Sequence, residues 1–235
     1  MNPTLLGIET ATDTCSAALL VGERVLERSL SGGRRHDAAL LGMIGDLLAE
    51  ADIPRSALSA VAVSAGPGSY TGLRIGASVA KGIAEGLSIP LLAVPSLLAC
   101  GLQAMDTVAT PKGASLVLAA FPSRRHEVYA ALVDVSGPYP SQLGVSMAGM
   151  PDVILRELEG QGTIVSAIVG PGADRFESAN VVPEVSTCSA GAVARLGAQM
   201  LAEGRAVDVE LFEPYYLKDF IAGIPTKSVF ARLPF

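Results

Sequence analysis

The sequence predicts an α/β protein built as two similar lobes that face each other across a cleft. Three observations carry that expectation. Short apolar stretches of strand type alternate with amphipathic helical stretches along the chain. The order three strands, helix, strand, helix runs once in each half, more cleanly in the first. The length, 235 residues, suits one compact domain or two tightly joined lobes with a substantial core. The expected division is residues 1–108 and 109–235.

In order, TLLGIETA, CSAALLV and RVLERSL read as three consecutive strands joined by short turns. A helix is expected over 37–51, because Leu40, Met43, Ile44, Leu47, Leu48 and Ala51 recur at three- and four-residue steps and form one apolar stripe. Asp37 is expected to cap it. A catalytic pair with His36 is disfavoured, since adjacent residues at a helix start point in different directions. SAVAVSAG is a short strand of the fully buried type. A glycine loop and a helix over 71–87 follow, then the strand PLLAV and a helix over 95–105. TVATPKGAS reads as a connector. In the second half SLVLAAF, HEVYAALVDV and LGVSM read as strands, 151–158 as a helix, TIVSAIVG as a strand and 189–203 as a helix.

Half of the residues are hydrophobic and 17% are charged. No apolar run approaches the roughly 18–20 residues of a membrane span. The start, MNPTLLGIETAT, lacks the basic segment and long apolar core of a secretory signal, so a cytoplasmic protein is expected. Cys15, Cys100 and Cys188 are far apart and odd in number, which argues for small buried hydrophobes over a disulfide framework or zinc ribbon. The two histidines, His36 and His126, cannot build a multi-histidine metal site. The net charge of −6 disfavours independent nucleic-acid binding, so any RNA is expected to be held by a partner.

Residues 64–87, SAGPGSYTGLRIGASVAKGIAEGL, have the look of an active-site element. Gly66, Pro67, Gly68, Ser69, Tyr70 and Thr71 form its loop. It is not a Walker A loop, because Leu73 follows Gly72 where a lysine is needed. Thr71 breaks the dinucleotide pattern, and Gly68 directly before Ser69 breaks the frame of a nucleophile elbow. Anion binding by bare N–H groups at the helix start stays open. In the helix, Gly72, Gly76, Ala80 and Ala84 fall four residues apart as a ridge of small side chains, beside Leu73, Val79, Ile83 and Leu87. A helical glycine costs roughly 1 kcal/mol relative to alanine, so the ridge implies another backbone in close approach. That backbone is either the chain's own core or a second subunit. Arg74 stands in the first turn, where the macrodipole disfavours a cation, and points to an outward role against a carboxylate or anion. Glu9, Thr10, Thr12 and Asp13 occupy a strand–turn–strand junction. They are either turn formers or, as in the hairpins of sugar-kinase and actin-like folds, neighbours of nucleotide phosphates.

GPGSYTGLRIGASVAKGIA, with the opening LLGIETATDTCSAALL, closely resembles the bacterial TsaB family, also called YeaZ. The resemblance covers most of the first 105 residues and continues more thinly through RRHEVYAALVD and EPYYLKDF. It implies a two-lobed actin and sugar-kinase-like (ASKHA) fold with a duplicated βββαβα pattern, and a role in making threonylcarbamoyladenosine in tRNA next to the anticodon. It further implies that the chain does not transfer the group itself. Such a protein pairs with the catalytic sibling TsaD, is joined by the ATPase TsaE, and self-associates, so a homodimer is expected in isolation. The pairing would use the helices over 37–51 and 71–87. Leu40, Met43, Ile44, Leu47, Gly72, Leu73, Arg74, Gly76, Val79, Ala80 and Ile83 are then the expected partner-binding residues. A charge placed at Gly76 or Leu73 would abolish binding and spare the fold. Thr10, Thr12 and Asp13 are the expected nucleotide neighbours. No cofactor of its own is expected, with ATP or ADP at or near the partner interface.

The sibling carries His-x-x-x-His after the next strand, where this chain has VPSLLAC with Ser96 and Cys100 in those places. A serine hydroxyl is a poor ligand, so no metal and no catalytic residue is expected. The rival readings are an ATP-hydrolysing or phosphotransfer enzyme using the cleft and, with little support, a peptidase; no paired nucleophile and histidine or zinc motif stands in frame. Two departures from the family pattern affect the second half. Pro122 replaces an acidic residue shortly before EVY, with Arg124 retained, and Lys218 replaces an arginine after Pro214, Tyr216 and Leu217, keeping the charge and losing the planar fork. The terminal SVFARLPF has no assigned role.

Overall fold

The computed structural model describes residues 3–32, 36–107, 113 and 115–218, the side chains of 36–38 excepted. Strands β1 (Thr4–Glu9), β2 (Thr14–Val21) and β3 (Arg24–Ser31) form an antiparallel meander. Helix α1 (His36–Glu50) crosses to β4 (Ala60–Ser64), which pairs parallel with β1. Helix α2 (Tyr70–Leu87) crosses to β5 (Leu91–Val94), parallel to β4. The first sheet therefore has the order β3-β2-β1-β4-β5.

Helix α3 (Ser96–Met105) leads to a second meander of β6 (Leu116–Pro122), β7 (Val128–Asp134) and β8 (Ser141–Gly149). After α4 (Pro151–Gly160), β9 (Ala167–Val169) pairs parallel with β6, and α5 (Ala190–Ala202) ends the regular structure. The second sheet has the order β8-β7-β6-β9. The elements match those read from periodicity to within a residue or two, except that only the last part of TIVSAIVG pairs as a strand. Helix α1 begins at His36, so Asp37 lies inside its first turn; the cap expected of the Asp37 side chain lies outside the described residues. Most of TVATPKGAS and all of SVFARLPF lie outside them too.

Successive strand side chains point to opposite faces, and this alternation decides which helix covers which face. Leu6 and Ile8 of β1 and Val61 and Val63 of β4 meet Leu40, Ile44 and Leu47 of α1 and Ala80 and Ala84 of α2. Leu5, Ala60 and Ala62 face the other way, toward α3 and α5. Each fully buried leucine in these layers contributes about 1.5–3 kcal/mol. In the second sheet Val117, Ala119 and Phe121 pack on α3, while Leu118 and Ala120 pack on Ile154 and Leu158 of α4.

Helix α5 follows the second sheet in sequence but packs on β1, β2 and β4 of the first. The approach is close: a Cβ on Gly7 would stand 2.9 Å from the Ala194 Cβ. Glu27 of β3 holds the start of α5, accepting from the Ser189 hydroxyl at 2.6 Å and the Ala190 N–H at 2.8 Å. A carboxylate there satisfies otherwise orphaned N–H groups and complements the helix dipole. The chain beyond α5 stays with the first sheet, Val207 bridging to Leu91 and the Tyr215 N–H donating to the Ala65 carbonyl at 2.7 Å. Among the described residues no helix is long and apolar enough to cross a membrane.

Candidate functional site

The glycine loop joins three parts of the chain. Gly66 stands at φ +104°, a conformation that favours glycine. Its N–H donates to Ser96 Oγ at 3.0 Å, and the Ser69 N–H donates to the Ala11 carbonyl at 2.7 Å. Ser69 then caps α2, its Oγ accepting the Gly72 N–H at 3.3 Å. Pro67 and Gly68 complete the turn, which ties the β1–β2 junction to the starts of α2 and α3, while Tyr70 and Thr71, expected in the loop, already belong to the first turn of α2 because Ser69 is its cap.

The small-residue ridge of α2 points inward. Gly72, Gly76, Ala80 and Ala84 are buried, as is Leu73. A side chain on Gly72 would run into the Thr10 carbonyl, and one on Gly76 into the Thr10 hydroxyl. In α1, Leu40, Ile44 and Leu47 are buried in the chain's own core, with Met43 half-buried against it. The backbone in close approach to Gly72 and Gly76 is therefore Thr10, just past β1 of the same chain, and Leu40, Leu47, Gly72, Leu73, Gly76 and Ala80 are spent on the chain's own core. The physical reason is that an amphipathic helix covers its own sheet with its strongest apolar stripe.

What α1 and α2 leave outside is different. Leu41 is 59% exposed, and the Cβ positions of Gly42, Gly45, Gly82 and Gly86 open onto empty space. Val79 and Ile83 are half-buried beside them. Between the helices runs a groove of about 450 Å³ lined by Leu41, Ile44, Leu48, Leu58, Ile83 and Leu87. The glycine cost that drew attention to Gly72 and Gly76 applies equally to these four, and was the sequence signal for this face. Arg74 is exposed as expected, and its charge is met within the chain: Nη1 donates to the Tyr70 hydroxyl at 2.9 Å, and the guanidinium lies 5.5 Å from that ring's centroid.

The β1–β2 junction divides. Thr12 and Asp13 line a cleft of about 390 Å³, whereas Thr10 is buried beneath α2. Thr12 Oγ1 accepts the Thr14 N–H at 3.3 Å, the local bonding of a turn former. The opposite wall is the β6–β7 hairpin with Pro122, Ser123 and Arg124. Arg175 donates to the Ser123 carbonyl at 3.1 Å and to the Glu127 carbonyl. Lys218 Nζ pairs with Glu127 Oε2 and holds that carboxyl below its usual range, a point charge without a planar fork, as the substitution implies. Tyr70 and Tyr216 stand at the mouth with ring centroids 5.0 Å apart, and burial pushes the Tyr216 phenol up.

From sequence, Glu9 is one of four junction residues that are either turn formers or phosphate neighbours. It is fully buried at the end of β1, with Oε1 accepting the Ala11 N–H at 2.5 Å. Burial pushes its pKa up to about 7, against the lowering effects of Ser64, Ala11 and Cys188 beside it. Ser96 and Cys100, which occupy the places of the sibling's histidines, have structural work here. Ser96 Oγ accepts from Gly66, and the buried Cys100 thiol, pushed up to about 12, packs against Gly170. His126 is exposed.

A family model described as TsaD, tRNA N6-adenosine threonylcarbamoyltransferase, matches residues 29–139. The tRNA threonylcarbamoyladenosine biosynthesis protein TsaB of Escherichia coli (strain K12) is 31% identical over 226 residues, spanning 93% of this chain and 96% of that protein. Its namesake in Haemophilus influenzae is 37% identical over 129 residues, 54% of this chain and 52% of that one. The solved structure of YeaZ from Pseudomonas aeruginosa is 30% identical with a TM-score of 0.76, covering 92% of this chain and all of that one. Similarity that runs nearly end to end in both sequence and fold places the chain: it belongs to the TsaB (YeaZ) family of tRNA threonylcarbamoyladenosine biosynthesis proteins.

Proposed function

We propose that the chain is a non-catalytic scaffold and activator in tRNA threonylcarbamoyladenosine synthesis, binding the catalytic TsaD subunit while the TsaE ATPase joins the pair. The observation that carries this reading is the outward face of α1 and α2. Its apolar groove is flanked by four glycines without obstruction at Cβ, a surface on which helices of another subunit can pack ridge into groove. The TsaD-type match spans both helices, which supports a partner built like this chain. A self-complementary face would also join two copies as a homodimer when that partner is absent. The net charge of −6 fits a subunit that meets tRNA inside a complex in the cytoplasm. ATP or ADP would sit at or near the partner interface. The actin- and sugar-kinase-like duplication belongs to the same proposal, resting on the strand order third-second-first-fourth common to both sheets.

The test uses Gly45→Glu and Gly82→Glu, both in open space. The variants should melt like the parent yet fail to capture TsaD. They should also fail to support formation of modified adenosine from tRNA, ATP and threonylcarbamoyl-adenylate with TsaD and TsaE. Capture that survives both changes overturns the assignment. A second reading, an ATP-using enzyme, draws on Thr12 and Asp13 at the cleft wall. Tight ATP–magnesium binding with turnover by the isolated chain would establish it instead.

A further inference from the structure

The cleft gathers side chains that this composition makes scarce. Three of the five tyrosines, Tyr70, Tyr129 and Tyr216, line it, together with Arg124, Arg175 and Lys218. Arg74 stacks on Tyr70, and Arg125 stands exposed at the tip of the hairpin that carries Arg124. The carboxylates close by are Asp13, Glu127 and Glu213, the last acting on Tyr216, and Glu127 is already paired with Lys218, so the five cations outnumber them. In a chain with 23 acidic and 17 basic residues this is a local reversal of sign.

The arrangement is held in place. Tyr70 and Tyr216 are tilted by 41° at the mouth, and Tyr216 is 37% exposed, leaving ring surface open to a ligand. Arg175 is anchored by two main-chain carbonyls and meets no carboxylate in an ion pair among the described residues. Ser123 Oγ is buried at the cleft wall without a hydrogen-bond partner. Open aromatic faces, an anchored cation and an orphaned hydroxyl around 390 Å³ suit a flat base and its phosphate. The cations continue past the cavity to Arg74 and Arg125, where a strand of linked phosphates makes more contacts than an isolated nucleotide.

We propose that this cleft contacts an unpaired nucleotide of an RNA strand, with the base against the Tyr70–Tyr216 pair and the phosphates against the arginines. The proposal rests on the family's place in tRNA modification for the presence of RNA, and not on the partner face of α1 and α2. It gives the chain an RNA contact of its own, at a cleft where cations outnumber carboxylates.

The experiment is fluorescence anisotropy of a labelled single-stranded RNA hexamer with the full-length chain at low salt, with AMP as competitor. Saturable binding that weakens with added salt is expected. Tyr216→Ala and Arg124→Ala should each lose about tenfold in affinity, while Tyr216→Phe, which keeps the ring, should bind as the parent does. Arg28→Ala, at an exposed pair on β3, is the control and should change nothing. TsaD capture measured on the same preparations should be unaffected by the cleft variants, so the partner assignment and the RNA contact can fail separately. Absence of saturable binding overturns the proposal, as does indifference to both cleft substitutions. Displacement by AMP at the hexamer's own affinity overturns it too, because the cleft would then be a free-nucleotide site.

Discussion

Helix α2 carries two kinds of glycine, distinguished by what a methyl group at each would meet. At Gly72 and Gly76 it would strike Thr10 of the β1–β2 junction; at Gly82 and Gly86 it would meet nothing. The inner pair lets the chain pack on itself, and the outer pair, with Gly42 and Gly45 of α1, leaves a shallow face for another helix. Small residues four apart therefore state that something comes close, and say nothing of what it is. A charge at Gly76 or Leu73, expected from sequence to separate binding from folding, would instead be buried in the core and break the fold.

The sharpest way to break this contrast is Gly72→Ala. Overpacking against main chain should cost about 3 kcal/mol in urea unfolding. A loss below about 1 kcal/mol would mean that α2 shifts away from β1 at little cost, and the inward assignment would fail.

Next in size is Glu9→Gln, on the buried side beside Thr10. The folded pKa of about 7 lies above the ordinary 4.5, so the folded chain holds the proton more tightly. Its contribution to stability is fully present below about pH 4.5 and is lost as pH rises through 7. The parent should lose roughly 2 kcal/mol from this group between pH 5 and 8, read from unfolding curves across that range. The glutamine variant, whose carbonyl still accepts from Ala11, should show a flatter profile and be the more stable protein at pH 8. Parallel profiles would show that Glu9 ionises freely where it stands.

The smallest effect has the opposite sign. Gly82→Ala should stabilise the isolated chain by up to about 1 kcal/mol, because alanine is the better helix former and the space is open. The same methyl should weaken TsaD capture if the outer glycines admit a partner's backbone. Gain in one measurement with loss in the other is the signature that separates the outer face from the inner one.

Much of this molecule was legible beforehand. The strands and helices are set by short-range apolar periodicity, and nearly all of them stand where that periodicity put them. The stripe of Leu40, Ile44 and Leu47 was legible as apolar and the ridge of Gly72 and Gly76 as small; what each one touches was not. The hairpin residues show the same limit. Thr10 and Thr12 are two apart with the same side chain, yet one is sealed under α2 and the other faces the cleft.

Sequence by itself determined the element types, their order and the loop that marks the family, because propensity and spacing act over a few residues. Tertiary structure alone decided that α5 returns to the first sheet, that Glu9 is enclosed, and that Tyr70, Arg124, Arg175 and Lys218 meet around one cleft. Those outcomes depend on contacts between residues distant in the chain. Periodicity specifies which face of an element is apolar, while the partner of that face is chosen only when all the faces compete for burial at once.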